Sequence, residues 1–153
     1  MKRIERVYVD TSVFGGVFDD EFSAPSRAFF EAVRAGRFNV VVSVLVQTEV
    51  SRGPAQVPAL FDEVLSRAEV VRVTDEAVSL MQAYVDAEVL SERWRDDALH
   101  VALATVAGCT LIVSWNFKHI VNYRRIPKYN AVNALNGYGA IAIHSPSEVV
   151  GDE

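Results

Sequence analysis

Val7-Tyr8-Val9-Asp10-Thr11-Ser12-Val13-Phe14 is the stretch whose reading decides the fold. Three apolar residues with no polar one between them predict a short strand buried on both faces, and it stops at the polar trio Asp10-Thr11-Ser12. Gly15-Gly16 then predicts a turn. The same pattern returns at Thr110-Leu111-Ile112-Val113, which runs into Ser114-Trp115-Asn116. Outward from these two, Asn39 to Val42 and Val70-Val71-Arg72-Val73 predict strands, and Ala140 to Ile143 predicts a last one after Gly137-Tyr138-Gly139. Helices fall between them. Ser23 or Ser26 caps one that runs through Ala35 and closes at Gly36, and Ser43 caps one that contains Glu49 and ends at Gly53-Pro54. Val57 to Ala68 predicts a further helix, and Thr74-Asp75-Glu76-Ala77 places an N-cap and first-turn acids before a helix through about Leu90. The loop Ser91 to Arg95 leads into a helix from about Asp96 to Ala107, stopped by Gly108. Strands alternating with helices predict a single α/β domain over residues 1–153, a three-layer α/β/α sandwich on a mostly parallel sheet of about five strands.

Composition narrows the class. The chain has 153 residues, half of them hydrophobic, which is enough to bury a core without disulfides or a structural metal. One cysteine, Cys109, excludes an intrachain disulfide and a zinc cluster, so a reducing, cytoplasmic setting is expected. The charged start Met1-Lys2-Arg3-Ile4-Glu5-Arg6 is unlike a secretory leader, and no apolar run approaches the roughly 20 residues of a membrane span, so no membrane partner is expected. The net charge is −5, but the acids are segregated: 17 of 20 lie between Glu5 and Asp97, and Ala98 to Ser147 has none. That stretch carries Lys118, Arg124, Arg125, Lys128 and the three histidines, so a polyanionic partner is permitted despite the acidic average.

In parallel sheets functional groups collect at the carboxyl ends of the strands, where the strand order reverses. Asp10 follows a strand directly, Asn116 follows one after Ser114 and Trp115, and Glu49 and Asp97 lie on helices after strands or loops. Each has a bland reading: Asp10 as a turn former or helix cap, Glu49 as the wet edge of an amphipathic helix. Asp97 heads Ala98-Leu99-His100-Val101-Ala102-Leu103-Ala104, apolar nearly all round and therefore buried. It shares a face with Val101 and Ala104, whereas Asp96 points away, so Asp97 is either a cap or a ligand.

Taken in order, Val7 to Phe14, Val42-Ser43 leading to Glu49, Asp97 to Ala104, Ile112-Val113-Ser114-Trp115-Asn116-Phe117-Lys118-His119-Ile120 and the closing Ile141 to Glu148 resemble PIN-domain proteins of the VapC-type toxin class. The resemblance implies a PIN-like fold and an endoribonuclease in which acids converge around Mg²⁺ or Mn²⁺. Carried over by position, the catalytic and metal-binding set is Asp10, Glu49, Asp97 and Asn116, with Ser12 hydrogen-bonded to a ligand carboxylate or to the scissile phosphate. Hard divalent cations take oxygen ligands, lower the pKa of water and offset charge on phosphate oxygens, so three carboxylates suit that chemistry. Asn116 departs from the family, whose fourth position is usually Asp; an amide oxygen still ligates but brings no charge, which implies one metal held firmly and any second one weakly. Arg93 and Arg95, flanking Trp94, and Lys118, His119, Arg124, Arg125 and Lys128 would hold RNA phosphates. The resemblance further implies a separately encoded antitoxin and a homodimer, for which the helices through Val64 and Met81 offer either surface or core.

Three other readings stand beside this one. A PIN-fold protein that binds RNA or a protein without cutting is compatible with Asn116. An aspartyl phosphotransferase of the haloacid dehalogenase type also places an Asp after the first strand, but its second Asp is here Ser12. A dinucleotide-binding enzyme is disfavoured because no Gly-x-Gly-x-x-Gly follows that strand.

Overall fold

Val7, Tyr8 and Val9 are buried on both faces of β1 (Glu5–Val9), which puts this strand in the interior of the sheet. The computed structural model of the chain describes residues 4–151; the start at Met1 to Arg3 and the acids Asp152 and Glu153 lie outside the described residues. β1 pairs in parallel with β2 (Phe38–Ser43) on one side, Val7 opposite Val40, and with β4 (Leu111–Val113) on the other, Val9 opposite Val113. β3 (Ala68–Val71) and β5 (Ala142–His144) complete the edges, giving the all-parallel order β3-β2-β1-β4-β5. The connections leave β1 in opposite directions, so the switch point lies between β1 and β4. Asp10 and Asn116 stand at its two lips.

Helices cover the sheet because each presents an apolar stripe. On α2 (Ser23–Arg34) Ser26, Phe29, Phe30 and Val33 are buried; on α4 (Gln56–Leu65) Val57, Leu60, Phe61 and Val64; on α5 (Asp75–Asp86) Ala77, Leu80, Met81 and Tyr84. That is the three- and four-residue spacing of one helix face. Val64 and Met81 thus serve the core of the chain, not its surface. Two of the expected caps hold: Ser43 accepts the Val46 N–H at 3.2 Å to start α3 (Val44–Ser51), and Thr74 accepts the Ala77 N–H at 3.2 Å to start α5. Neither Ser23 nor Ser26 caps α2, whose N-cap is Phe22, because Ser23 donates to the Val17 carbonyl at 2.8 Å and Ser26 accepts from Trp115 Nε1. α6 (Arg95–Val106) is buried from Ala98 to Thr105 and ends at Gly108, whose φ of +77° is one that glycine adopts without strain.

Several elements depart from the sequence reading. Gly15-Gly16 does not form a separate turn; it closes a short helix, α1 (Thr11–Gly16), that begins immediately after Asp10. Gly16 is there for close approach: a Cβ would meet Ser26 Oγ and Trp115 Nε1, each at 2.7 Å. β3 begins two residues earlier than the apolar run suggested, since Val70 pairs with Val42 on an edge strand and Val73 is left exposed. A tight helical turn, Glu92–Trp94, occupies the loop before α6. α7 (Ile126–Leu135) was not anticipated: its buried side chains are Tyr129, Val132 and Asn133, a mixture with weak apolar periodicity. α8 (Pro146–Val150) forms on a capping box between Ser145 and Glu148.

Candidate active site

Asp10 is only 4% exposed, at the carboxyl end of β1. Its Oδ2 accepts the Ser12 hydroxyl at 2.7 Å and the Ser114 hydroxyl at 2.6 Å. Burying a carboxylate costs several kcal/mol, and hydrogen bonds to a charged acceptor return about 1.5–3 kcal/mol each. The two hydroxyls therefore offset much of that cost, and a further positive partner at Oδ1 would stabilise the buried charge. Ser12 also accepts the Trp115 N–H at 2.9 Å, tying the start of α1 to the segment after β4.

Glu49, on α3, reaches the same crevice from the β2 side. Its Oε1 accepts the Thr11 hydroxyl at 2.6 Å and lies 2.6 Å from His100 Nε2. His100 is 2% exposed, its Nε2 stands 3.7 Å from Asp10 Oδ1, and its Nδ1 lies 2.8 Å from the Tyr8 hydroxyl, which in turn lies 2.8 Å from Ser43 Oγ. Burial opposes charging of His100, but the hydrogen bond to Glu49 and the charges of Asp10, Glu49 and Asp97 together raise its pKa above 6.5. Burial likewise opposes ionisation of Glu49, yet the His100 and Thr11 hydrogen bonds bring its pKa below 4.5. The two shifts describe one ion pair. Burial holds Tyr8 well above the usual phenol range, so its hydroxyl stays neutral.

Asp97 lies one helical turn before His100 on α6 and so on the same face. Its Oδ2 is 2.8 Å from His119 Nδ1, and His119 is buried against the Trp94 ring with centroids 4.6 Å apart. Asn116 holds that histidine's segment in place, since its Oδ1 accepts the His119 N–H at 2.9 Å. The Asn116 N–H in turn donates to Ser114 Oγ at 2.9 Å, so one hydroxyl links Asp10 to Asn116.

The structure thus gathers Asp10, Glu49, Asp97, Asn116 and Ser12 around the switch point. The hydrogen bonds fall on Asp10 Oδ2, Glu49 Oε1 and Asp97 Oδ2, leaving the second oxygens of Glu49 and Asp97 for another ligand, while Asp10 Oδ1 faces His100 Nε2 at 3.7 Å. That donor set fits a hard divalent cation. Among the described residues no three His, Cys, Asp or Glu side chains already stand as a ready-made metal cage. Cys109, buried, has its thiol pushed up to about 11 by burial and is no nucleophile.

The expected RNA-contacting residues divide. Arg93 and Lys118 lie over the Trp94 ring at 4.9 and 5.5 Å, Arg95 pairs with Glu92 at 3.1 Å, and Arg125 donates from Nη1 to the Lys118 carbonyl at 3.0 Å. Arg124 and Lys128 are exposed, whereas His119 points inward to Asp97. Trp115 is a packing residue, stacked on Phe22 at 4.3 Å with Nε1 bonded to Ser26. The sequence reading gave no role to His100, Tyr8 or Ser114. The available signal was spacing: His100 follows Asp97 by three residues, one helical turn on, and His119 follows Asn116 by three across a turn.

A family model for the PIN domain matches residues 7–120, the span from β1 past Asn116. Among solved structures, the chain is similar to VapBC2 from Rickettsia felis, bound to a promoter DNA fragment (16% identity, 92% of this chain and 98% of that one, TM-score 0.60). It is also similar to a toxin–antitoxin complex from Klebsiella pneumoniae (16%, 78% and 93%, TM-score 0.57). A third is VapC20 of Mycobacterium tuberculosis, a toxin that cleaves the sarcin–ricin loop (13%, 88% and 98%, TM-score 0.57). At these identities the likeness is one of fold. No curated protein matches the sequence. Among the described residues no helix is long and apolar enough to cross a membrane.

Proposed function

The chain belongs to the PIN-domain family, and from that premise we propose that it is a divalent-metal-dependent endoribonuclease, the toxin of a toxin–antitoxin pair. The observation that carries the reading is the convergence of Asp10, Glu49 and Asp97, from β1, α3 and α6, on two histidines at the switch point. A Mg²⁺ or Mn²⁺ ion held by these carboxylates, with Asn116 beside them, would acidify water and offset charge on the phosphate.

The chain's own residues supply the rest. Ser12 and Ser114 fix the Asp10 carboxylate, Thr11 and His100 fix Glu49, and His119 fixes Asp97, so each acid is aimed before substrate arrives. Water attacks the backbone phosphorus as the bond from phosphorus to one ribose oxygen breaks; one of these carboxylates takes the proton that water gives up, and the departing ribose oxygen takes a proton from solvent. Arg124, Lys118 and Lys128, on a segment without carboxylates, hold the flanking phosphates. An antitoxin that covers the crevice, a homodimer and a cytoplasmic setting complete the proposal.

The test is cleavage of a mixed-sequence single-stranded RNA with Mg²⁺ or Mn²⁺. Wild type cuts, chelator stops it, and Asp10→Ala and Asp97→Asn lose at least ~100-fold in rate, the scale of a lost acid–base group. A second reading rests on Asn116, which brings no fourth charge and whose amide oxygen already caps His119: RNA bound but left intact by an antitoxin-free wild type would make this a binding domain.

A further inference from the structure

Tyr123 is 91% exposed, the most solvent-open large hydrophobic side chain among the described residues. It follows His119 by four residues, on the segment that leaves the candidate site. The ring is free but its backbone is not. Asn122 Oδ1 accepts the N–H groups of Arg124 and Arg125 at 3.1 and 3.2 Å, and Asn122 Nδ2 donates to the Phe117 carbonyl at 3.2 Å. The Arg125 and Ile126 N–H groups both donate to the Asn122 carbonyl, at 3.0 and 2.9 Å. A large planar side chain is thus presented on a pinned turn, and ordering the turn adds little to the cost of binding.

Its surroundings select the partner. Arg124, Lys118 and Lys128 are exposed near it in the chain, Phe117 is half exposed, and no carboxylate occurs between Ala98 and Ser147. A protein interface of ordinary kind centres on a contiguous apolar patch. An exposed aromatic flanked along the chain by exposed cations is instead the pairing that binds single-stranded nucleic acid, with cations on the phosphates and a ring under a base. We propose that Tyr123 is the stacking platform for one unpaired base of single-stranded RNA whose backbone follows the Lys118, Arg124 and Lys128 side chains toward Asp97. This rests on the ribonuclease reading and adds to it a base-contacting residue. A duplex hides its base faces, so the platform favours unpaired RNA.

The test is fluorescence anisotropy with a labelled single-stranded RNA and its duplex, in chelator so that nothing is cut, using the full chain. Tyr123→Ala weakens single-strand binding by about fivefold or more, the lower end for loss of one stacked base, and Tyr123→Phe restores it. Tyr123→Ala leaves the salt slope unchanged, whereas Arg124→Gln reduces it by about 0.7, one phosphate contact on a single strand. Equal affinity of wild type and Tyr123→Ala, or an equal loss on the duplex, overturns the platform even if the wild type cuts RNA. A wild type that binds the strand through Tyr123 but never cuts it, with metal supplied, keeps the platform and overturns the nuclease. A wild type that binds no single-stranded RNA in chelator overturns the platform, and cleavage with metal supplied decides the nuclease separately.

Discussion

His100 Nε2 lies 2.6 Å from Glu49 Oε1, across 51 residues of sequence and between two different helices. This pair joins the β2 side of the crevice to α6. It also makes the candidate site stiff before any substrate enters, because Tyr8 and Ser43 extend it into the core.

The pair sets a pH window. Burial works against the charge on His100, but Glu49 and Asp10 outweigh it, so the folded pKa is above 6.5; the stability it contributes is complete below 6.5 and is lost as pH rises through the folded value. The Glu49 value is below 4.5, so its contribution is complete above 4.5 and is lost as pH falls through the folded value. The stability gap between wild type and Glu49→Gln is therefore widest from pH 4.5 to 6.5 and narrows on both sides. NMR titration of His100 should show its pKa fall in Glu49→Gln, because burial then acts with less opposition. A pKa that stays put would dissociate the two groups.

Tyr8→Phe keeps the ring and removes the hydroxyl between Ser43 Oγ and His100 Nδ1, both buried. Leaving buried polar groups unsatisfied costs about 1–3 kcal/mol. In a chain of this size each kcal/mol lowers Tm by roughly 2–4 °C. Calorimetry should find a loss of that order with the fold retained. A variant as stable as wild type would mean that the chain from Ser43 to His100 is not held together through Tyr8.

The strands and the helices capped by Ser43 and Thr74 were legible because burial on both faces writes an unbroken apolar run, and caps use few residue types. Asp10 and Asn116 stood out because strand ends are where polar residues interrupt such runs. α7 was illegible: Tyr129 and Asn133 are buried through hydrogen bonds, to the His119 carbonyl and to the Tyr84 hydroxyl, so its inner face does not read as apolar. His100 was hidden for the opposite reason. Within a helix buried all round it read as one more core residue, and only the fold brings Glu49 and Tyr8 to its two nitrogens.

Gly16→Ala tests how α1 is seated. The added Cβ would lie 2.7 Å from Ser26 Oγ and 2.7 Å from Trp115 Nε1, which are themselves bonded at 2.8 Å. Overpacking of this kind costs about 1–3 kcal/mol, and here it pushes on the segment that carries Asn116. Both stability and RNA cleavage should fall, with the Trp115 fluorescence changed. Unaltered stability would show that Trp115 gives way freely.

Asn116→Asp is the sharpest test of the fourth position. The substituted carboxylate retains an oxygen for the His119 N–H, now 2.9 Å from Asn116 Oδ1, so the turn survives. It adds a negative charge one hydroxyl removed from Asp10, because Ser114 Oγ donates to Asp10 and accepts the Asn116 N–H. Without metal that charge faces other carboxylates and lowers stability; with metal it becomes an additional oxygen ligand. The two signs separate the site from its surroundings. Mn²⁺ affinity by calorimetry should tighten by about tenfold, ~1.4 kcal/mol, and the Tm gain on adding Mn²⁺ should exceed that of wild type. Lower apo stability with unchanged or weaker Mn²⁺ affinity would place Asn116 outside the cation's reach and leave it only as the residue that caps His119.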